Sequence, residues 1–143
     1  MNERKRASVL LFKGPALVWA IVIFIAIAMP SRDIPRIHFW TFGIEFDKFI
    51  HGSLFFVQAS LIWFGLVNAR ALPLVKTHPV ITAILVSMTY GALTELYQLM
   101  TPDRSSDVLD FLADSIGAGI FGMLVISGAA DRILSGIKKI LNV

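Results

Sequence analysis

The sequence contains no cysteine among its 143 residues. This absence excludes disulfides, thiolate metal sites, iron–sulfur clusters and cysteine nucleophiles, so any reactive site must use oxygen or imidazole groups. Charge is also scarce, because 16% of the residues are charged whereas a soluble domain has about 25%. Apolar residues make up 56% of the chain, which argues against a soluble monomer. Repeats and long linkers are missing too, so we expect one domain over residues 1–143.

Four apolar segments approach the length of about 20 residues that a helix needs to cross a bilayer. They cover residues 9–29, 49–67, 80–100 and 108–127. Prolines separate them and the connections are short, so neighbouring helices should pack antiparallel. The sequence therefore predicts an all-α fold, an integral membrane four-helix bundle with short connections. Residues 131–143 add a predicted amphipathic helix, whose expected partner is anionic membrane lipid.

The first apolar segment has an alternative interpretation. Basic residues 4–6 precede a run that ends in Ala26-Ile27-Ala28, a pattern typical of a signal-peptidase site. The run is long for a signal peptide, and its removal would leave three spans with termini on opposite sides. A retained helix is therefore the favoured interpretation.

Lysine and arginine are unequally distributed between the two sides of the predicted bundle. Nine of the thirteen lie before or near the start of the first span, between the second and third, or after the fourth. Because cytoplasmic loops are enriched in these residues, both termini are predicted to be cytoplasmic. Eight of the ten acidic residues lie on the opposite side, which favours a bound cation there over an unassisted phosphate. The net charge of +3 thus reports orientation, and no nucleic-acid partner is expected.

Three spans carry polar side chains at helical spacing, although an ionisable group at mid-membrane costs roughly 2.5–3.5 kcal/mol. These side chains are Asp47, His51 and Gln58 in the second span, Ser87, Thr94, Glu95 and Gln98 in the third, and Asp107, Asp110 and Asp114 in the fourth. Because consecutive spans alternate in direction, the polar ends share one side of the membrane. We expect one polar layer near the outer face, closed by the loop that contains Arg104.

Several of these residues also have structural interpretations. Asp47 and Asp107 fit helix caps, the latter in a capping box with Asp110. Lys48 fits an interfacial anchor, and Gln98 fits hydrogen bonding between helices. These roles and functional ones stay open.

Depth favours a function for Glu95, which lies too far inside its helix to be a cap. His51 can equally bond a neighbouring helix or serve a site. The candidate ligands of a divalent cation are His51, Glu95 and Asp110, because imidazole and carboxylate are the donor groups available. A cation is therefore a possible cofactor.

The motifs resemble those of VanZ-like membrane proteins. Residues 47–51 are similar to the family's D-K-x-x-H opening, residues 90–98 to its Y-G-x-x-x-E-x-x-Q element, and residues 102–110 to its P-x-R-x-x-x-x-x-D stretch. The resemblance marks eight candidate functional residues: Asp47, Lys48, His51, Glu95, Gln98, Arg104, Asp107 and Asp110. One departure is Asp114, where members often carry asparagine, so a further negative charge enters the site.

The resemblance implies a small integral protein of the bacterial inner membrane, in a family named for a determinant of teicoplanin resistance. It does not fix a reaction or an oligomeric state. One hypothesis is a protein that binds the head group of an envelope lipid or a polyprenyl-linked cell-wall intermediate. The alternatives are a cation-dependent membrane enzyme acting on a lipid-linked phosphate, and a structural or partner-binding protein. An ion pathway is less favoured, because the inner side lacks a matching polar layer.

Overall fold

The computed structural model describes residues 3–28, 46–68, 77–101 and 107–129, with side chains from residue 14 onward in the first range. The described residues form four α-helices: α1 (Glu3–Ala28), α2 (Phe46–Asn68), α3 (Pro79–Leu99) and α4 (Val108–Ile126). These ranges contain no strand, which confirms the all-α prediction. The predicted C-terminal amphipathic helix and the loop that contains Arg104 lie outside the described residues.

The helices have the length and composition of membrane spans. α2, α3 and α4 are each long and apolar enough to cross a bilayer, and α1 contributes a shorter apolar segment, Gly14–Ala28. Large apolar side chains such as Phe49, Leu99 and Ile126 are more than 60% exposed, while Asp114 is fully buried. This distribution, with apolar side chains outside and polar side chains inside, is expected when lipid is the solvent. The chain is therefore a membrane protein.

Local sequence explains where α3 and α4 begin. Pro79 is the first residue of α3, a position where the missing N–H is not needed for helical hydrogen bonding. Asp107 is the N-cap of α4, and its side chain accepts a hydrogen bond from the Leu109 N–H at 2.8 Å. The N-cap predicted for Asp107 is thus confirmed, but its predicted capping box with Asp110 is not, because the Asp107 N–H donates to Glu95 Oε2.

α2 lies at the centre of the bundle and contacts the other three helices. Its most extensive contact is with α4, and the two approach closely at Gly52 and Gly117, because a Cβ on Gly117 would overlap the Gly52 carbonyl. Small residues allow such an approach between membrane helices. Towards the C-terminal ends of α2 and α4 from this crossing, Ala59, Ala118 and Phe121 form a buried core.

α1 packs against α2 and α3, and within the described ranges it does not contact α4. Two side-chain hydrogen bonds to backbone carbonyls join α1 to its neighbours. Trp19 Nε1 donates to Leu54 O at 3.0 Å, and the Tyr90 hydroxyl donates to Ala20 O at 2.6 Å. Among the described residues, the polar layer is therefore built by α2, α3 and α4.

Candidate functional site

The polar side chains of α2, α3 and α4 meet at one end of the bundle, where α2 and α4 begin and α3 ends. They form two adjacent groups. The lysine group consists of Lys48, Asp47, Asp107 and Asp110, and the histidine group consists of His51, Glu95 and Asp114. Three consecutive helices thus supply one layer of charge inside the membrane protein.

Lys48 is the centre of the lysine group. Its Nζ lies 2.6 Å from Asp110 Oδ1, 2.7 Å from Asp107 Oδ2 and 3.3 Å from Asp47 Oδ2. The Lys48 side chain is 11% exposed and that of Asp110 is 12% exposed, whereas Asp47 is 55% exposed. Lys48 is therefore turned into the bundle, and its interpretation as an interfacial anchor is wrong. The carboxylates of α4 attract it inward because a charge near lipid needs a partner.

Asp107 connects the two groups. Its carboxylate caps α4 and binds Lys48, and its backbone N–H donates to Glu95 Oε2 at 3.1 Å. The hydrogen bond from Lys48, followed by that from the Leu109 N–H, lowers the pKa of the Asp107 carboxyl below its ordinary value of 3.8. Glu95 is thus held to the N-cap residue of α4.

The lowered pKa of Asp107 predicts a pH dependence of stability. The folded state binds this proton less readily than the unfolded state does, so the carboxylate stabilises the fold above pH 3.8. That stabilisation is lost as the pH falls through the lowered pKa. Thermal unfolding of Asp107→Asn, which keeps a good N-cap without the charge, should show a deficit against the wild type at neutral pH that disappears under acid. A deficit independent of pH would contradict this assignment.

The histidine group lies deeper in the bundle than the lysine group, because His51 and Asp114 are farther from the starts of α2 and α4 than Lys48 and Asp110 are. His51 Nδ1 is 3.0 Å from Asp114 Oδ1, and His51 Nε2 is 4.0 Å from Asp110 Oδ2. An ionised carboxylate only accepts hydrogen bonds, so when Asp114 is ionised the donor of the shorter contact is Nδ1 of His51. One ring nitrogen of His51 and one oxygen each from Glu95 and Asp114 lie within 4.8 Å of one another. This is the spacing of groups that can share a bound ion.

Two buried oxygens of this layer lack a hydrogen-bond partner among the described residues. One is Oδ2 of Asp114, a residue with no exposed surface, and the other is Oε1 of Gln98, a residue 4% exposed. Gln98 lies three residues after Glu95, on the same side of α3. Buried oxygens normally have a donor, an ordered water or an ion beside them, so both are available for a further interaction.

The structure brings together most of the residues that the sequence marks. Seven of the eight candidates lie in the layer or beside it, and Arg104 lies outside the described residues. Asp114 was not among the eight, although it takes a central position. Its spacing of seven from Asp107 and four from Asp110 is the signal that places it on the same helical face.

Comparison with known families identifies the chain. The model of the VanZ/LLP1 family matches residues 12–130, a range that includes α2, α3 and α4 in full. The chain belongs to the VanZ/LLP1 family. No curated protein and no solved structure matches it. The family match confirms the resemblance found in the motifs.

The charges of the VanZ/LLP1 layer suit positively charged ligands. Within the described ranges it holds five carboxylates, one lysine and one histidine. The Lys48 ammonium is in close contact with two of these carboxylates, Asp107 and Asp110. It does not contact the Asp114 carboxylate. The layer can therefore stabilise a cation, and the His51–Asp114 pair can also accept or hold a proton.

Proposed function

We propose that this VanZ/LLP1 protein binds the head group of an envelope lipid or of a lipid-linked cell-wall intermediate. The ligand lies at the outer leaflet of the bacterial cytoplasmic membrane, and both termini of the protein are cytoplasmic. The observation that carries the proposal is the Asp114 carboxylate, which is fully buried in the polar layer at one end of the bundle and has one oxygen without a partner among the described residues. Such a group costs free energy unless a ligand compensates it.

The ligand must bring positive charge, because a bare phosphate would be repelled by the carboxylates of this layer. Two head-group chemistries satisfy the requirement. One is an ammonium group, as in phosphatidylethanolamine, and the other is a phosphate accompanied by a divalent cation, as a polyprenyl phosphate would be. Both place a cation against the carboxylates, and they differ in their response to a chelator.

Native mass spectrometry of the purified protein tests head-group binding. The protein is offered phosphatidylethanolamine, phosphatidylglycerol and undecaprenyl phosphate in equal amounts, with Zn²⁺ and separately with chelator. We expect one-to-one retention of one head-group class, reduced at least about tenfold, or by about 1.4 kcal/mol, in Glu95→Gln. Glutamine can still accept the Asp107 N–H, so this variant removes charge without removing the hydrogen bond that Glu95 receives.

The matched control for Glu95→Gln is Ser87→Ala, which removes a buried polar group from α3 two turns away from Glu95. We expect Ser87→Ala to retain lipid as the wild type does. Equal retention of all three lipids by every variant would identify them as bulk solvent around the helices, and the proposal would then be abandoned.

A second candidate function is acid–base catalysis on the same head group. The supporting observation is the contact of His51 Nδ1 with Asp114, because an imidazole oriented by a carboxylate keeps Nε2 available for proton transfer. A water molecule would be the nucleophile in a hydrolysis of the lipid-linked phosphate. The mass spectra of the same lipids after incubation distinguish this candidate, since catalysis predicts a hydrolysed product that His51→Gln does not form.

A further inference from the structure

We propose that the histidine group is a metal site, in which His51, Glu95 and Asp114 bind one divalent transition-metal ion, with higher affinity for Zn²⁺ than for Mg²⁺ or Ca²⁺. Binding of the ion needs no lipid. Its role as the positive charge that accompanies a head group rests on the proposed function.

The spacing of the three side chains is the first argument. Their ligand atoms lie within 4.8 Å of one another, and they come from three different helices. Ligands at the usual distances of about 2.0–2.2 Å from Zn²⁺ lie about 3.3 Å apart in a tetrahedral site. The side chains therefore need to close by no more than about 1.5 Å, which rotation about side-chain bonds supplies.

The second argument is the direction and burial of the Asp114 oxygen. Asp114 Oδ1 contacts His51, whereas Oδ2 has no hydrogen-bond partner in the described part of the chain and the residue has no exposed surface. A Cβ built on Gly91 would lie 3.0 Å from Oδ2. This oxygen therefore points at α3 one turn before Glu95, towards the helix that supplies the third ligand. Coordination to an ion would compensate its burial.

The third argument is the charge and type of the ligands. Two carboxylates and a neutral imidazole carry two negative charges, which match one divalent ion. Magnesium and calcium prefer oxygen ligands alone, whereas imidazole suits zinc and related transition metals. Zn²⁺ also exceeds Mn²⁺ and Fe²⁺ in general affinity for mixed nitrogen and oxygen ligands. The ligand set therefore favours Zn²⁺ over Mg²⁺, Ca²⁺, Mn²⁺ and Fe²⁺.

Asp110 forms an ion pair with Lys48, whereas the sequence predicts it to be a metal ligand. The sequence proposes His51, Glu95 and Asp110 as ligands, but Asp110 Oδ1 is 2.6 Å from the Lys48 ammonium. A cation is thus already in contact with Asp110. The Lys48 ammonium is not in contact with Asp114, so Asp114 takes the third position of the metal site.

The experiment is a metal titration of tag-free, chelator-treated full-length protein in detergent, by isothermal titration calorimetry and thermal unfolding. We expect one Zn²⁺ per chain. An ion at 100 times its dissociation constant stabilises the fold by about 2.7 kcal/mol, which should raise the melting temperature by about 5 °C or more. Mg²⁺ and Ca²⁺ at the same concentration should cause no shift. Absence of a shift with Zn²⁺, or an equal shift with all the ions, would overturn the proposal.

Variants locate the ion. Asp114→Asn and His51→Gln should each weaken Zn²⁺ binding at least about tenfold, a change of about 1.4 kcal/mol. The matched control is His78→Gln, since His78 is an exposed histidine at the opposite end of α3. Loss of binding in His78→Gln with retention in His51→Gln would show an adventitious surface site. If Asp114→Asn does not fold, His51→Gln and Glu95→Gln decide the question.

The lipid experiment separates this proposal from the proposed function. Retention of a head group in chelator, together with no Zn²⁺ binding, refutes the metal site and leaves head-group binding standing. Zn²⁺ binding with no selective lipid retention refutes the proposed function and leaves the metal site standing.

Discussion

Replacement of Gly117 by alanine is expected to destabilise the protein by about 3 kcal/mol or more, the upper end of the usual range for overpacking. The added Cβ would overlap the carbonyl oxygen of Gly52 and come within 2.9 Å of its Cα. The obstacle is backbone rather than a flexible side chain, so α2 and α4 must separate. The measurement is thermal or denaturant unfolding in detergent, in which Gly117→Ala should melt about 6 °C or more below the wild type.

Gly119 provides the matched control for Gly117. It lies two residues along the same helix, and no atom of another described helix comes within 4 Å of a Cβ built there. Alanine is favoured over glycine within a helix by about 1 kcal/mol, so Gly119→Ala should be as stable as the wild type or slightly more stable. Similar losses from both substitutions would show that the α2–α4 crossing does not limit stability.

Replacement of Lys48 by methionine is expected to destabilise the protein by about 3–5 kcal/mol, the usual cost of removing one member of a buried ion pair. Methionine keeps much of the length and apolar stem of lysine, so the loss reports the ammonium. The variant leaves Asp110 at 12% side-chain exposure without its contact to Lys48 at 2.6 Å. Thermal unfolding at neutral pH measures the loss.

A double substitution tests the origin of that loss. Lys48→Met combined with Asp110→Asn removes both charges, so it should be at least about 1 kcal/mol more stable than the sum of the single losses predicts. Asp47→Asn serves as a control because Asp47 is 55% exposed and lies 3.3 Å from Lys48, and exposed pairs contribute about 1 kcal/mol or less. Strict additivity of Lys48→Met and Asp110→Asn would contradict a direct ion pair.

Much of the fold could be predicted from the sequence because membrane spans are local properties of the chain. An apolar run of about 20 residues has few alternatives to a helix in lipid, since every backbone group must be satisfied internally. The predicted spans 49–67, 80–100 and 108–127 differ by at most three residues from the ends of α2, α3 and α4. Pro79 and Asp107 mark the beginnings of two helices in the sequence itself.

The polar layer could be predicted as well, but the sequence could not show which of its side chains contact one another. Helical spacing places Asp107, Asp110 and Asp114 on one face of α4, and antiparallel packing places that face near the start of α2. The rotation and tilt of the helices then decide which carboxylate Lys48 reaches. These depend on the close approach at Gly52 and Gly117, which is a tertiary property. For this reason the sequence alone favours an interfacial anchor for Lys48 and leaves Asp114 outside the eight candidate residues.

The separation of Lys48 from its partners along the chain has a consequence for biosynthesis. The carboxylates of Asp107 and Asp110 follow it by 59 and 62 residues, so a ribosome that adds about 5–20 residues per second supplies them about 3–12 s later. During that interval α2 is in the translocon or the bilayer with its ammonium unneutralised by α4. α4, which is made after α2 and α3, therefore completes the site, and a nascent chain arrested before α4 would present Lys48 to lipid or to a quality-control protease.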